Sequence, residues 1–276
     1  MTHAFNHGHV DYLRMAYCLA LSLRLTQSEV SGLSVIVSES HDVPSHYRDV
    51  FDEVIPVPDV RPEFVAQNWR VDNFVRMYDV TPYDQTVTLD ADMLFFDDVS
   101  PWWDLLAGSD IVGATAVTYR GEPIVDNPLR TDLYEIGLPD LHNGFFFFRR
   151  GDVAKQLFAT MARYLDDWDG NCRRHFGRTV PFSSDCALLL SIRDNGLESI
   201  GAGPRPGIPR FVHMKACLQG WPGVLPSERE WRRHASHRFE GLQLYVDDIR
   251  IGDPFHYHVR DFVTDELLQS YEKGRP

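Results

Sequence analysis

No stretch of this chain stays apolar long enough to cross a bilayer. The longest runs, Phe145 to Phe148 and Ala187 to Ile192, fall far short of the roughly 20 residues a membrane helix needs. The start, MTHAFNHGHV, has no basic segment followed by an apolar one, so no secretory leader is expected and the reading is of a soluble, cytoplasmic chain. Cysteine is scarce too. Cys18, Cys172, Cys186 and Cys217 show no C-x-x-C spacing, which argues against a zinc ribbon and a disulfide framework and leaves four reduced thiols as the expectation. Lysine is absent from residues 1–140, where 8 Arg face 23 acidic residues for a balance of −15. Residues 141–276 carry 19 basic against 17 acidic residues, a balance of +2. The overall −13 argues against non-specific coating of nucleic acid or anionic membrane. The late basic residues nevertheless cluster, as Arg149 with Arg150, as Arg173, Arg174 and Arg178, and as Arg229, Arg232, Arg233 and Arg238. Such clusters suit either a phosphate-bearing partner or a solvated face shared with acids such as Glu228 and Glu230.

What is present is a core-forming chain. Its 276 residues, 43% apolar and 12% aromatic, are ample for one large α/β domain or two small ones. The apolar spacing predicts a strand at Ala4 to Asn6, a helix at Tyr12 to Thr26, and strands at Leu33 to Val37 and Glu53 to Pro56. A helix over Arg70 to Asp79 is broken by Pro82 before a strand that ends at Asp90. Further on come a short helix at Trp102 to Leu106, strands at Ile111 to Thr118 and Gly144 to Phe148, and helices at Val153 to Leu165 and Cys186 to Arg193. Residues 119–140, rich in Gly and Pro, read as a long loop over a site, and Gly201 to Pro209 as a second irregular passage. This alternation predicts a mostly parallel sheet flanked by helices, with ligands at the carboxyl ends of its strands.

One such end carries the most informative residues. In VTLDADMLFF, Val87, Leu89 and Ala91 alternate with polar neighbours, and Asp90 and Asp92 leave the strand end on one face. Two carboxylates there suit a hard divalent cation that keeps positions free for the oxygens of a diphosphate. A lone D-x-D is common at strand ends. Its setting in apolar sequence, with Asp97 and Asp98 just beyond, favours the metal.

The opening AFNHGHVDYLRMAYCLALSL, the LDADM motif, LHNGFFFF and the late HMK segment together resemble nucleotide-sugar-dependent glycosyltransferases of the GT-A fold. The likeness is to the glycogenin-like and lipopolysaccharide-galactosyltransferase-like group and to enzymes of tailed bacteriophages, and it spans most of residues 1–221. It implies a single GT-A domain over 1–221, with a nucleotide and metal half at 1–140 and an acceptor half at 141–221, and a C-terminal extension at 222–276 packed on it. It implies a UDP-sugar donor, Mn²⁺ or Mg²⁺, and retention of configuration. Ala4, Phe5 and Asn6 would line base and ribose, and Tyr12 would stack on uracil or pack as an ordinary helix residue. Asp90 and Asp92 would hold the metal, Arg76 would reach the donor, and Asn143 and Gly144 would meet sugar hydroxyls at a close backbone approach. Asp185 would face the transferred sugar, cap its helix, or both. His213 would be the late metal ligand and Lys215 would grip the diphosphate. Here the chain departs from the family's pattern: Lys215 sits too close to His213, and His256 and His258 in PFHYHVRDF compete for the ligand role. The acceptor implied is a hydroxymethylated pyrimidine in phage DNA, in the host cytoplasm, or a glycan or protein hydroxyl. Two other classes remain, a non-catalytic nucleotide-sugar-binding protein and a D-x-D phosphatase, the latter disfavoured because its motif follows the first strand.

Overall fold

A computed structural model describes residues 1–6, 10–30, 32–58, 72–122, 137–138, 141–179, 183–198, 209–214, 236–257 and 262–274. The first strand, β1 (Thr2–Ala4), stops two residues earlier than the apolar pattern suggests. Asn6 ends it: its amide oxygen accepts the Leu13 N–H at 3.0 Å and its nitrogen donates to Asp11 at 3.1 Å, so the chain turns into the next helix. That helix, α1 (Tyr12–Thr26), is capped by the Asp11 carboxylate, which accepts the Arg14 N–H at 2.9 Å. There follow β2 (Ser34–Ser38), α2 (Ser45–Arg48) and β3 (Glu53–Val57). The expected helix at 70–79 is two short helices, α3 (Asp72–Val75) and α4 (Met77–Val80), separated by a turn at Arg76.

The chain continues through β4 (Gln85–Leu89), β5 (Met93–Leu94), α5 (Trp102–Ala107), β6 (Ile111–Val117) and β7 (His142–Arg149). Helices α6 (Asp152–Asp166), α7 (Trp168–Phe176) and α8 (Ser184–Asp194) come next, then β8 (Arg210–His213). A small antiparallel sheet of β9 (His237–Glu240), β10 (Gln243–Val246) and β11 (Ile249–Arg250) precedes β12 (Phe255–His256) and α9 (Asp265–Lys273). Residues 123–136 and 139–140 of the 119–140 loop, and 201–208 of the second passage, lie outside the described residues.

Nine strands form the main sheet in the order β3-β2-β1-β4-β7-β6-β8-β12-β5. All run parallel except β7 and β5, which are antiparallel to their neighbours. Only Asp90, Ala91 and Asp92 join β4 to β5, although four strands lie between them in the sheet order. In a flat sheet, at about 4.8 Å per strand, the two would sit roughly 24 Å apart, beyond the roughly 14 Å that so short a connection spans. The sheet therefore curls, and the strands wrap around the D-x-D turn.

The Phe145–Phe148 run is buried on both faces. Phe146 and Phe148 pack against α6 and α8 with Leu157, Phe158, Met161 and Leu188, whereas Phe145 meets Leu19, Leu89 and Phe211 on the other face. Phe147 packs beside it on Leu106 and Val112. Burial on both sides is why this strand lacks the apolar and polar alternation of a one-sided sheet. The last segment closes a separate part of the core. Phe255, Tyr257, Phe262, Leu267, Leu268 and Tyr271 pack with Tyr17, Cys18 and Leu21 of α1. Arg14 ties α9 down by donating to Asp265 at 2.6 Å and to the Val263 carbonyl at 3.3 Å, and the Tyr17 hydroxyl donates to Glu272 at 3.2 Å. The Tyr257 and Tyr271 hydroxyls are buried there without a hydrogen-bond partner among the described residues, a cost of about 1–3 kcal/mol each. No helix of the described residues is long and apolar enough to cross a membrane.

Phe146, fully buried between α6 and the sheet, sets a test of this core. Phe146→Ala is expected to lower the unfolding free energy by about 3–5 kcal/mol in urea titrations, whereas truncating the exposed Trp103 should change it little.

Candidate active site

The D-x-D turn is held at both ends by backbone bonds. The Asp90 N–H donates to the Gly144 carbonyl at 3.0 Å, and the Asp92 carbonyl accepts the Tyr257 N–H at 3.0 Å. One bond belongs to β7 and the other to the residue after β12, so the turn sits where the curled sheet brings its two halves together. Asp90 and Asp92 keep 29% and 18% of their side chains exposed, enough to meet a ligand.

His256 completes a group of three. Its Nε2 lies 3.0 Å from Asp92 Oδ1 and 3.6 Å from Asp90 Oδ2, and one ligand atom from each of the three residues lies within 4.8 Å of the others. Strand β12 places it: His256 pairs with Met93 on one side and with His213 on the other, while Phe255 and Tyr257 turn into the core. Two carboxylate oxygens and an imidazole nitrogen are a donor set suited to Mn²⁺, and three ligands leave positions for oxygens of a substrate.

Of the histidines that compete for the ligand role, the structure brings His256 to the carboxylates, whereas the His213 ring packs edge-on against His256 with centroids 5.2 Å apart, and on to His142 at 5.4 Å. The physical reason is register. His213 and His256 are directly opposed in parallel strands, and β12 is the one paired with β5, which follows the D-x-D turn. Lys215, His258, Arg229, Arg232 and Arg233 lie outside the described residues.

Gly144 earns its place through the space it leaves. A Cβ there would lie 2.9 Å from Asp90 Oδ2 and 3.6 Å from the Phe211 ring, so the Asp90 carboxylate rests where any side chain would be. Strand alternation then puts His142, two residues earlier, on the same face, with its ring 5.7 Å from that of Phe211. Asn143 points the other way. Its backbone N–H donates to Asp185 Oδ1 at 2.9 Å, and its side-chain nitrogen bonds the Ser184 hydroxyl. Asp185 Oδ2 lies 4.0 Å from His142 Nδ1, leaving the carboxylate 26% exposed. The cap of α8 is Ser183, whose hydroxyl accepts the Cys186 N–H at 3.4 Å, so Asp185 stands in the first turn and not at the cap position.

The remaining expected residues are dispersed. Ala4 and Phe5 are buried, with Phe5 in the core beside Ile36 and Phe74. Tyr12 opens α1 and packs partly buried against the α1 and α9 core. Arg76 is partly exposed, and its carbonyl accepts the Asp79 N–H at 2.9 Å. Asp97 and Asp98 turn away from the carboxylate pair: Asp97 binds Arg250, and Asp98 accepts the Ser100 N–H at 2.8 Å.

Two histidines went unread in the sequence. His142 was legible in principle, because period-two alternation from Gly144 reaches it. His3 carried no signal, being one polar residue in a three-residue strand. Its Nδ1 is buried with no hydrogen-bond partner among the described residues, and burial pushes its imidazole down to about 4 against the opposing pull of Asp92.

The fold is that of the GT-A glycosyltransferases. No family model and no curated protein matches the chain. Among solved structures, the galactosyltransferase LgtC in complex with donor and acceptor sugar analogues is 10% identical, with a TM-score of 0.53 over 99% of this chain and 96% of that one. An active-site mutant of LgtC gives 12% identity and 0.50 over the same shares. The apo bifunctional glycosyltransferase WbbM gives 12% and 0.50, covering 99% of this chain and 51% of that one. At such identities the likeness is one of fold.

Two predictions follow from this geometry. Gly144→Ala must displace the Asp90 carboxylate, and titration with Mn²⁺ should show affinity reduced by about 10- to 100-fold in a protein that still folds. His3 is neutral in the fold down to about pH 4, while the unfolded chain takes up its proton near the ordinary 6.5. More protons are bound unfolded within that window, so stability falls as pH drops from 6.5 towards 4. In urea titrations across it, His3→Gln should flatten the fall by close to one proton.

Proposed function

We propose that this chain is a metal-dependent glycosyltransferase that moves a sugar, with retention, from a UDP-sugar to an acceptor hydroxyl. The observation that carries the reading is the convergence of Asp90, Asp92 and His256 at the carboxyl end of β4 in a GT-A fold. When bound there, Mn²⁺ supplies charge neutralisation on the departing nucleotide diphosphate. The imidazole in the donor set favours Mn²⁺ over Mg²⁺. His256 takes the ligand role that the sequence resemblance gave to His213, and Lys215 grips the diphosphate.

The rest of the chain is assigned by what each group can reach. Ala4 and Phe5 have buried side chains, so they meet the base and ribose through their backbone, together with Asn6 and Tyr12. Arg76 reaches the donor. The Asn143 N–H orients the Asp185 carboxylate, which keeps 26% of its surface exposed and meets a hydroxyl of the transferred sugar. Gly144 keeps the backbone low beside it. Residues 1–140 then form the nucleotide and metal half and 141–221 the acceptor half of one domain, with 222–276 as an extension that contributes β12 and α9.

For the acceptor we favour a glycan or protein hydroxyl over hydroxymethylated DNA. Support comes from the late arginines that the structure describes. Arg150 donates to the Thr81 carbonyl at 2.5 Å, and Arg238 pairs with Asp248 at 2.7 Å and Glu240 at 3.1 Å while lying over Tyr245. These cations already have partners within the fold, which weakens the case for a phosphate-binding strip.

Calorimetry is expected to show UDP binding that needs Mn²⁺ and disappears with EDTA. Asp92→Asn and His256→Ala should each cut donor turnover by about 100-fold or more with unchanged thermal unfolding, and His213→Ala should cut it far less. Equal UDP affinity with and without EDTA would remove the metal from the reading. Tight UDP-sugar binding without any release of UDP would make the chain a binding protein. Transfer to hydroxymethylated DNA but to no saccharide or peptide would reverse the choice of acceptor.

A further inference from the structure

The three proposed metal ligands come from two distant parts of the chain, Asp90 and Asp92 from one turn and His256 from the last described strand. Strand β12 is two residues long, and its flanking side chains, Phe255 and Tyr257, are fully buried in the cluster shared by α1 and α9. Tyr257 lies flat against Phe262 with ring centroids 5.1 Å apart, and its own N–H holds the Asp92 carbonyl. Tyr271 brings α9 onto the same cluster. Anything that lifts α9 therefore exposes the apolar neighbours of His256 and slackens the bond that holds the D-x-D turn. Docking of α9 is also opposed from within. The Tyr257 and Tyr271 hydroxyls are both buried with no partner among the described residues, whereas in an undocked state water would satisfy them. Burial pushes both phenols well above their ordinary range, as expected of hydroxyls cut off from water. The tethers that offset this lie at the surface: Asp265, which receives Arg14, is 78% exposed.

We propose that Tyr257 and Tyr271 are positioning residues for the metal site, acting through His256, so that docking of α9 and binding of the divalent cation are one linked equilibrium. The proposal rests on the metal reading given above. Linkage is reciprocal: a cation that requires His256 in place must favour docked α9, and any change that frees α9 must weaken the cation. It follows that removing an unpaired polar group from the far side of the strand should hold α9 down more firmly without weakening the metal.

The test combines Mn²⁺ calorimetry with amide hydrogen exchange over residues 265–273 of the full chain. In the wild type, Mn²⁺ is expected to slow exchange in α9, and His256→Ala should abolish both the binding and the slowing. Tyr271→Phe and Tyr257→Phe, which keep the ring and delete the hydroxyl, should each slow α9 exchange without the metal by about fivefold, with Mn²⁺ affinity at least that of the wild type. A hydroxyl that supported the fold would instead speed α9 exchange when deleted. Phenylalanine variants that exchange faster in α9, or that bind Mn²⁺ more weakly, overturn the proposal. If the wild type binds Mn²⁺ through His256 but α9 exchange ignores the ion, the linkage alone fails. If the wild type binds no Mn²⁺, the metal reading fails and the linkage with it.

Discussion

Everything at the site depends on a turn of three residues held by two backbone hydrogen bonds. Asp90 and Asp92 stand where β4 would otherwise run on, and the Gly144 carbonyl and the Tyr257 N–H fix the two ends of the bend. Each bond reaches into a different part of the sheet. The bend can exist only if the sheet curls, and the curl in turn delivers His142, Gly144, Phe211, His213 and His256 to one place. Carboxylates crowded together in this way repel one another, so their arrangement is tolerable only with imidazole and backbone groups close by. The turn thus joins the topology of the sheet to the chemistry proposed for it.

How much of this could be read from residues alone varied with the length of each element. Long elements with a clear period were legible: α1, α6 and α8 lie within a residue or two of the expected ranges, and β4 ends beside the expected carboxylates. Strands of two to four residues were not, because β5, β8, β11 and β12 are too short for alternation to accumulate. Their existence depends on pairing with partners far along the chain. Helices α7 and α9 were missed although α9 has a Thr264 cap and acidic residues in its first turn, signals that are present in the sequence.

The histidine question shows the same limit at the level of one atom. His213 and His256 are directly opposed in neighbouring strands, so the two candidates are separated by a single strand spacing. A motif search ranks them by resemblance, whereas pairing of β12 with β5 selects between them. Asn143 and His142 illustrate it again. Adjacent in sequence, they differ in what their side chains meet, Asn143 bonding the Ser184 hydroxyl and the His142 ring packing on Phe211. A step of one residue in a strand exchanges the faces of the sheet.

The separation of the ligands along the chain also bears on synthesis. Asp92 and His256 are 164 positions apart, and β12 enters the sheet only after every other described strand has been made. A growing chain that has already folded its first four strands displays the two carboxylates without the imidazole of His256 beside them. The same non-local closure slows folding, because the loop entropy must be overcome before the contact is gained. A group whose imidazole arrives on the last of the described strands is thereby incomplete in any product of translation that stops short of β12.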